Sequence, residues 1–134
     1  MLLHISPTKL ISDLQREFND SLPFLKLEFY PFKKSGLSAA YKYPGKRVGE
    51  CQATIVDGTL DIHPEMKVSE LESTLKDKFK LNAQVFRSSG SLWLQTTMTD
   101  HWTLQKQNDH GMELSQHEKQ PKLNGNDLDI EDYN

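Results

Sequence analysis

The chain has 134 residues, a formal net charge of −3 and an apolar fraction of 36%, which suits one folded domain with polar loops and excludes two full-sized domains. Its apolar runs are too short to cross a bilayer, and its first residues lack the basic and apolar regions of a secretory signal. A single cysteine, Cys51, excludes an internal disulfide. These features predict a cytoplasmic protein with no membrane partner.

The first elements are read from apolar spacing. An apolar run over residues 2–5 is followed by Pro7 and then by apolar residues at i, i+3, i+7 and i+11. That spacing is typical of an amphipathic helix, and proline is tolerated where a helix starts. It predicts a strand over 2–5 and a helix over 9–21. Alternating apolar and charged residues from Phe24 to Tyr30 then predict a half-buried strand.

The segment 31–47 is basic and aromatic, with five cations and no acid. Cations interleaved with stacking rings are the groups that bind single-stranded nucleic acid. The alternative is a solvated connecting loop whose rings anchor it to the body. The candidate nucleic-acid contacts are Lys33, Lys34, Tyr41, Lys42, Tyr43, Lys46 and Arg47.

Residues 59–108 repeat much of the pattern of residues 2–51 at an offset of 57 residues. The proline, the helical apolar spacing and an aromatic residue in the following strand all recur. The repeat predicts a second strand over 59–62 and a second helix over 66–79. The equivalent pairs are Ile5 and Ile62, Pro7 and Pro64, Ile11 and Val68, Leu14 and Leu71, Phe18 and Leu75, Leu22 and Phe79, and Phe29 and Phe86.

Turn residues mark the connections in the second half. Asp57-Gly58 is a hairpin signal and predicts an additional strand just before the second copy. A second hairpin is expected over 83–97, with Gly90 taking the unusual backbone angles of its turn. A short last helix is expected near 102–106, with Asp100 as its cap.

From His110 onward the apolar periodicity ends, and the segment 110–134 holds six acidic and two basic residues. Too little apolar surface is available there to offset the entropy lost on ordering. We therefore expect 110–134 to be an acidic disordered tail, with Gly111–Leu114 as a candidate short strand. Acidic and apolar residues alternate from Asp127 to Tyr133, as in short partner-binding segments, although added solubility is the alternative.

Two βαβ-type units in tandem, with antiparallel hairpins and both helices on one face, predict an α+β fold, specifically a ferredoxin-like two-layer sandwich. The single domain covers 1–109, with the two repeats over about 2–51 and 59–108. A β-grasp-like fold over 51–98 is the alternative. It leaves residues 1–30 unexplained, which favours the repeat.

The second copy contains the run Gln84-Val85-Phe86-Arg87, Ser89-Gly90, Trp93-Leu94, Thr96-Thr97, Thr99-Asp100, Trp102-Thr103-Leu104 and Gln107-Asn108. This run resembles a family of small uncharacterised bacterial proteins. The resemblance covers chiefly residues 59–108. It implies a bacterial, intracellular protein and carries over no activity.

Two aromatic rings are predicted on one face of the sheet. Phe86 and Trp93 fall on the opposite face from Val85, Leu92 and Leu94. If the helices cover the face of Val85, Leu92 and Leu94, the two rings lie on the uncovered face. Such rings anchor a protein interface, stack on nucleic-acid bases, or are covered by another part of the chain. The candidate interface residues are Phe86, Trp93 and Trp102, and a cover would come from the segment 102–104.

The sequence holds no pattern for catalysis or for a metal or cofactor. The five histidines include no pair at metal-binding spacing, and there is no phosphate-binding glycine loop or nucleophile motif. No catalytic, cofactor-binding or metal residue is therefore predicted. The predicted function is a non-enzymatic protein–protein interaction or adaptor module, whose partner is another protein or a second copy. A nucleic-acid-binding protein is the first alternative, and an enzyme is the second.

Overall fold

The computed structural model describes residues 1–30, 47–51 and 57–119. Its strands are β1 (Leu2–Ile5), β2 (Leu25–Tyr30), β3 (Gly58–Asp61), β4 (Asn82–Ser89) and β5 (Leu92–Gln95). Its helices are α1 (Ile11–Ser21), α2 (Val48–Cys51), α3 (Val68–Phe79) and α4 (Leu104–Lys119), and a 3₁₀ turn covers Thr97–Thr99. The strands predicted over 2–5, 24–30 and 59–62, the two strands predicted within 83–97, and the two predicted amphipathic helices are confirmed within one to two residues.

The strands form two antiparallel sheets, so the fold is α+β with helices packed on sheets. β1 pairs with β3, with Leu3 opposite Leu60. In the second sheet β4 lies between β2 and β5, with Leu27 opposite Val85. A ferredoxin-like fold places such strands in one sheet, whereas here β2 pairs with β4 in a separate sheet. The β-grasp alternative over 51–98 leaves out β1 and β2, which pair with β3 and β4.

The core lies where the apolar stripes of α1 and α3 meet the inner faces of the sheets. The spacing i, i+3, i+7 places one buried residue on each helical turn, which is why these segments fold as amphipathic helices. The buried helix residues are Ile11, Leu14 and Phe18 in α1 and Val68, Leu71, Leu75 and Phe79 in α3. The strands contribute Leu3, Ile5, Leu25, Leu27, Phe29, Leu60 and Val85.

β2 begins at Leu25 and β4 at Asn82, so the offset of 57 residues continues into the strands, although α3 ends one residue later in its copy than α1 does. Three residues separate α1 from β2, but only two separate α3 from β4. Phe29 is buried, whereas Phe86 is half-buried on the opposite face from Val85, so the predicted equivalence of Phe29 and Phe86 does not extend to burial.

The two halves share a hydrogen-bond pattern before their long helices. The N–H of Val48 donates to the carbonyl of Lys9 over 2.9 Å, and the N–H of Leu104 donates to the carbonyl of Met66 over 2.8 Å. The carbonyl of Pro7 accepts a 2.8 Å bond from the N–H of residue 49, and the carbonyl of Pro64 accepts a 2.9 Å bond from the N–H of residue 105. These hydrogen bonds between residues distant in sequence attach the starts of α2 and α4 to the turns that precede α1 and α3.

The last helix is longer than the sequence predicts. Residues 110–119, expected in a disordered tail, belong to α4, and the candidate strand at Gly111–Leu114 is helical. The hydroxyl of Thr103, rather than Asp100, accepts the N–H of Lys106 at the helix start, over 3.1 Å. Apolar periodicity missed this helix because its packed positions, Gln107, Gly111 and Ser115, are polar or small. Residues 120–134 lie outside the described residues.

The two predicted hairpins have different outcomes. β4 and β5 form the expected hairpin, and Gly90 in its turn has the positive φ of 65° that favours glycine. β3 begins at Gly58 and pairs with β1. The additional strand predicted before it falls on 52–56, outside the described residues.

Candidate protein-interaction surface

Two aromatic rings and one ammonium group lie together on the outer face of the second sheet. Phe86 in β4 and Trp93 in β5 share this face with Lys26 in β2, since residues at alternate positions share a face. The Nζ of Lys26 lies 4.9 Å from the ring centre of Trp93 and 5.8 Å from that of Phe86. Both distances are within the range of cation–π attraction. Lys26 therefore holds the two rings in a common surface.

Polar side chains continue this face toward the far end of β2. Lys26 makes a 3.1 Å ion pair with Glu28, and the amide of Gln15 donates to the same carboxylate over 3.3 Å. Burial, together with the negative charge of Glu28, raises the pKa of the Tyr30 phenol, which also bonds to the side chain of Gln95. The outer face thus combines the exposed ring of Trp93 and the half-buried ring of Phe86 with fixed polar groups.

A groove of about 400 Å³ lies beside the ring of Trp93, between α1 and the outer face. Trp93 forms one wall, and polar side chains of α1 form the other. A groove with an aromatic wall and several hydrogen-bonding groups suits an extended polypeptide segment. The lining residues are Gln15, Arg16, Asn19, Lys26, Leu27, Glu28 and Trp93.

One edge of the second sheet is closed by α1. The side-chain amide of Gln15 donates to the carbonyl of Leu27, and that of Asn19 donates to the carbonyl of Leu25, each over 2.8 Å. These carbonyls point away from β4 on the free side of β2. Helix side chains therefore satisfy the groups that a further strand would use.

The opposite edge of this sheet, along β5, is open within the described part of the chain. The backbone N–H of Thr96 donates to the carbonyl of Val85 in β4. Because alternate residues of a strand bond to the same side, the backbone N–H and C=O groups of Trp93 and Gln95 point away from β4. We call these outward backbone groups of Trp93 and Gln95 the β5 edge.

The side chains beside the β5 edge are apolar and accessible. Leu92 is 63% exposed, Leu94 40% and Trp93 38%. The sequence predicted that Leu92 and Leu94 lie on the helix-covered face, but they are exposed because the helices pack on β2 and β4. An extended strand laid on this edge would find both backbone partners and apolar surface.

Trp102 lies apart from Phe86 and Trp93. Its ring lies 4.3 Å from the Nζ of Lys106, 5.9 Å from the guanidinium of Arg87, and 5.6 Å edge-on from the ring of His110. Arg87 follows Phe86 in β4 and points to the other face. The predicted cover over the two rings is therefore not formed by the segment 102–104, and the three candidate interface residues do not share one surface.

A buried polar network behind Trp102 was missed by sequence reasoning. Gln107, with no exposed surface, accepts a 2.9 Å bond from Arg87 and donates to the carbonyl and hydroxyl of Thr99, each over 2.8 Å. Burial lowers the pKa of Arg87, and the Nε of Arg87 has no partner among the described residues. Nothing in a polar run such as residues 105–110 distinguishes a buried glutamine from an exposed one.

The predicted nucleic-acid segment lies almost wholly outside the described residues, which include only Arg47 from it. The guanidinium of Arg47 donates to the carbonyl of Thr8 over 2.6 Å, and its backbone N–H donates to Glu50 over 2.8 Å. Arg47 therefore has a structural role at the start of α2. The other candidates, Lys33, Lys34, Tyr41, Lys42, Tyr43 and Lys46, are not described.

One acidic group has a strongly altered proton affinity. Burial raises the pKa of Glu72 to about 7, but Glu72 does not line the groove beside Trp93. Across residues 1–30, 47–51 and 57–119, no three His, Cys, Asp or Glu side chains are grouped to hold a metal ion. In the same part of the chain, no helix has the length and apolar character needed to cross a membrane.

Comparisons of the chain with protein-family models, with curated proteins and with solved structures find no match. The resemblance of residues 84–108 to small bacterial proteins therefore stays a prediction.

Proposed function

We propose that this protein is a non-enzymatic interaction module that binds an extended segment of a partner protein along the β5 edge. The observation that carries the proposal is the asymmetry of the second sheet. Gln15 and Asn19 close the edge at β2, whereas the edge at β5 ends the sheet with outward backbone groups. Proteins usually blunt exposed edges, because an open edge is a template for another strand. An edge left open beside exposed apolar side chains is suited to β-strand addition.

Side chains beside the β5 edge supply specificity in this proposal. A strand added to β5 would place alternate residues against Leu92 and Leu94 on one face and against Trp93 on the other. Trp93 is the anchor, because a large amphipathic ring held by Lys26 at 4.9 Å loses little freedom on binding. Phe86, on the same face, extends the apolar contact.

We also infer that the two halves are copies of one βαβ unit. The shared hydrogen bonds of Lys9 and Met66 before the helices support this, as does the pairing of Leu3 with Leu60, its equivalent at an offset of 57 residues. The resemblance of residues 84–108 supports a bacterial origin. Poor superposition of residues 2–30 on residues 59–87 would contradict the duplication.

Peptide selection tests the proposed function. Random peptides displayed on phage are panned against the full chain, and the affinity of a selected peptide is measured by calorimetry. Trp93→Ala removes the anchor, and Gln95→Pro removes an outward N–H without touching the bonds between β4 and β5. Each change is expected to weaken binding by about tenfold or more. Met98→Ala, at a residue 90% exposed away from the strand, is expected to leave affinity unchanged.

The same experiment can contradict the proposal. Circular dichroism and urea denaturation first establish that each variant folds. A selected peptide that binds wild type, Trp93→Ala and Gln95→Pro equally would exclude the β5 edge as the binding site. Nucleic acid that copurifies and is released at high salt, read from the absorbance ratio at 260 and 280 nm, would favour the basic segment 31–47 instead.

A further inference from the structure

We propose that residues 127–133 of this same chain, Asp-Leu-Asp-Ile-Glu-Asp-Tyr, are an internal occupant of the β5 edge. We call them the tail segment. The inference rests on the proposed function, because it assigns to the proposed binding edge a competitor that a partner must displace. Three observations lead to it: where α4 passes the sheet, the alternation of the tail segment, and its charge.

Helix α4 brings the chain to the end of the sheet where β4 turns into β5. The hydroxyl of Ser115 lies 2.9 Å from that of Ser88 and 3.4 Å from the N–H of Gly90, in the turn between β4 and β5. α4 ends at Lys119, four residues later. The eight residue steps from Lys119 to Asp127 span up to roughly 26 Å when extended, about twice the length of a four-residue strand. The tail segment can therefore reach any position along β5.

The alternation of the tail segment matches the two faces beside the β5 edge. In an extended conformation Leu128 and Ile130 share one face, and Asp127, Asp129 and Glu131 share the other. Leu128 and Ile130 would cover Leu92 and Leu94, which are exposed. The period of two is the one that a strand on this edge requires.

The negative charge of the tail segment suits the face of the sheet that carries Trp93. Its acidic residues would lie on the side of Trp93, where Lys26 lies 4.9 Å from the ring and Arg16 lines the groove. Lys26 and Arg16 already pair with Glu28 and Asp13, so the added attraction is modest and depends on salt. The tail segment gains most from being tethered, since a short linker gives an effective concentration of the order of millimolar.

Amide hydrogen exchange on the full chain tests the proposal. The outward N–H groups of Trp93 and Gln95 exchange freely if the edge is empty and are protected if a strand pairs with it. Wild type is compared with Leu128→Ser/Ile130→Ser, which removes the apolar contacts and keeps length and charge. We expect these two amides to exchange about tenfold faster in the double variant. Leu123→Ser, the same kind of change outside the alternating run, is expected to behave like wild type.

Two results would overturn the tail proposal. One is equal exchange of the two amides in wild type and the double variant. The other is protection that rises with protein concentration, because a second copy would then be the occupant. The peptide selected against the β5 edge separates this proposal from the proposed function. If the tail segment competes, that peptide binds Leu128→Ser/Ile130→Ser about three- to tenfold more tightly than wild type.

Equal peptide affinity in the two proteins, with both amides unprotected, would contradict the tail segment and leave the proposed function standing. Absence of peptide binding to both proteins would contradict the proposed function, while the exchange comparison would still decide for or against the tail segment.

Discussion

A carboxylate oxygen of Glu72 in α3 accepts a 2.9 Å hydrogen bond from the backbone N–H of Val85 in β4. The bond lies where β5 ends: Thr96 donates to the carbonyl of Val85, and the chain then turns into the 3₁₀ segment. Glu72 thus provides the acceptor that a longer β5 would have provided. Burial raises the pKa of Glu72 to about 7, with a smaller rise from Asp100, and the bond from Val85 opposes both.

The raised pKa of Glu72 predicts a stability that falls as pH rises. Between the ordinary value of 4.5 and about 7, the folded chain keeps a proton that the unfolded chain has lost, so the free energy of unfolding decreases across that window. Glu72→Gln keeps an acceptor for the N–H of Val85 and removes the titration. After allowance for solvent screening, we expect the variant to be more stable than wild type by about 1 kcal/mol near pH 8.

Urea denaturation at a series of pH values checks this. The free-energy difference between Glu72→Gln and wild type is expected to grow from pH 4.5 to 7 and then level off. Glu65→Gln, at an exposed carboxyl, is the matched control and is expected to follow the wild-type profile. A wild-type free energy that rises relative to Glu72→Gln over this range would show that the carboxyl is not held protonated.

The Arg87–Gln107 pair gives a prediction about buried polarity. Gln107→Leu leaves the guanidinium of Arg87 without an acceptor among the described residues, since the Nε already lacks one. Leaving a half-buried cation without acceptors is costly, and we expect a loss of about 3 kcal/mol in the free energy of unfolding. Gln105→Leu, at an exposed position of the same helix, is expected to cost less than about 0.5 kcal/mol.

The double variant Arg87→Met/Gln107→Leu distinguishes the network from simple loss of packing. Removing both partners leaves no guanidinium without an acceptor, and the carbonyl of Thr99 keeps its bond from the N–H of Trp102 although its hydroxyl loses the bond from Gln107. We therefore expect the double variant to recover at least half of the loss caused by Gln107→Leu. Urea denaturation of the three proteins measures this. Additive losses would mean that the two side chains do not depend on one another.

The elements that bury regular apolar stripes were predictable from sequence. Ile11, Leu14 and Phe18, and their equivalents in α3, encode both the helix and its buried face. α4 was not predictable beyond its first turn, because Gly111 and Ser115 pack through small size and hydrogen bonds, which apolar periodicity does not detect.

The candidate surface was predictable only in part. The alternation in β4 and β5 places Phe86 and Trp93 on one face from sequence alone. The closure of the β2 edge by Gln15 and Asn19 depends on how α1 lies against the sheet, which no local pattern encodes. The exposure of Leu92 likewise depends on how far the helices extend across the sheet.

Gly111 gives a prediction that runs against helix propensity. Alanine normally stabilises a helix by about 1 kcal/mol relative to glycine. At Gly111, however, an added Cβ would lie 3.0 Å from the Cβ of Phe24 and 3.1 Å from the Cγ of Arg87. We expect Gly111→Ala to lower the free energy of unfolding by about 1–2 kcal/mol, since α4 must move away from β2 and β4. Thermal denaturation measures it, with the exposed Gln116→Ala as a control; an increase in stability would show that the contact relaxes freely.

The amides that close the β2 edge give a final prediction. Gln15→Leu/Asn19→Leu removes the donors to the carbonyls of Leu27 and Leu25 and exposes an unpaired strand edge. We expect a loss of about 1–3 kcal/mol in the free energy of unfolding, and self-association that light scattering detects as a mass increasing with concentration. Arg16→Leu adds an apolar side chain to the same helix and leaves the side-chain amides of Gln15 and Asn19 in place. If Arg16→Leu associates as strongly as the double variant, added apolar surface, rather than the opened edge, causes the association.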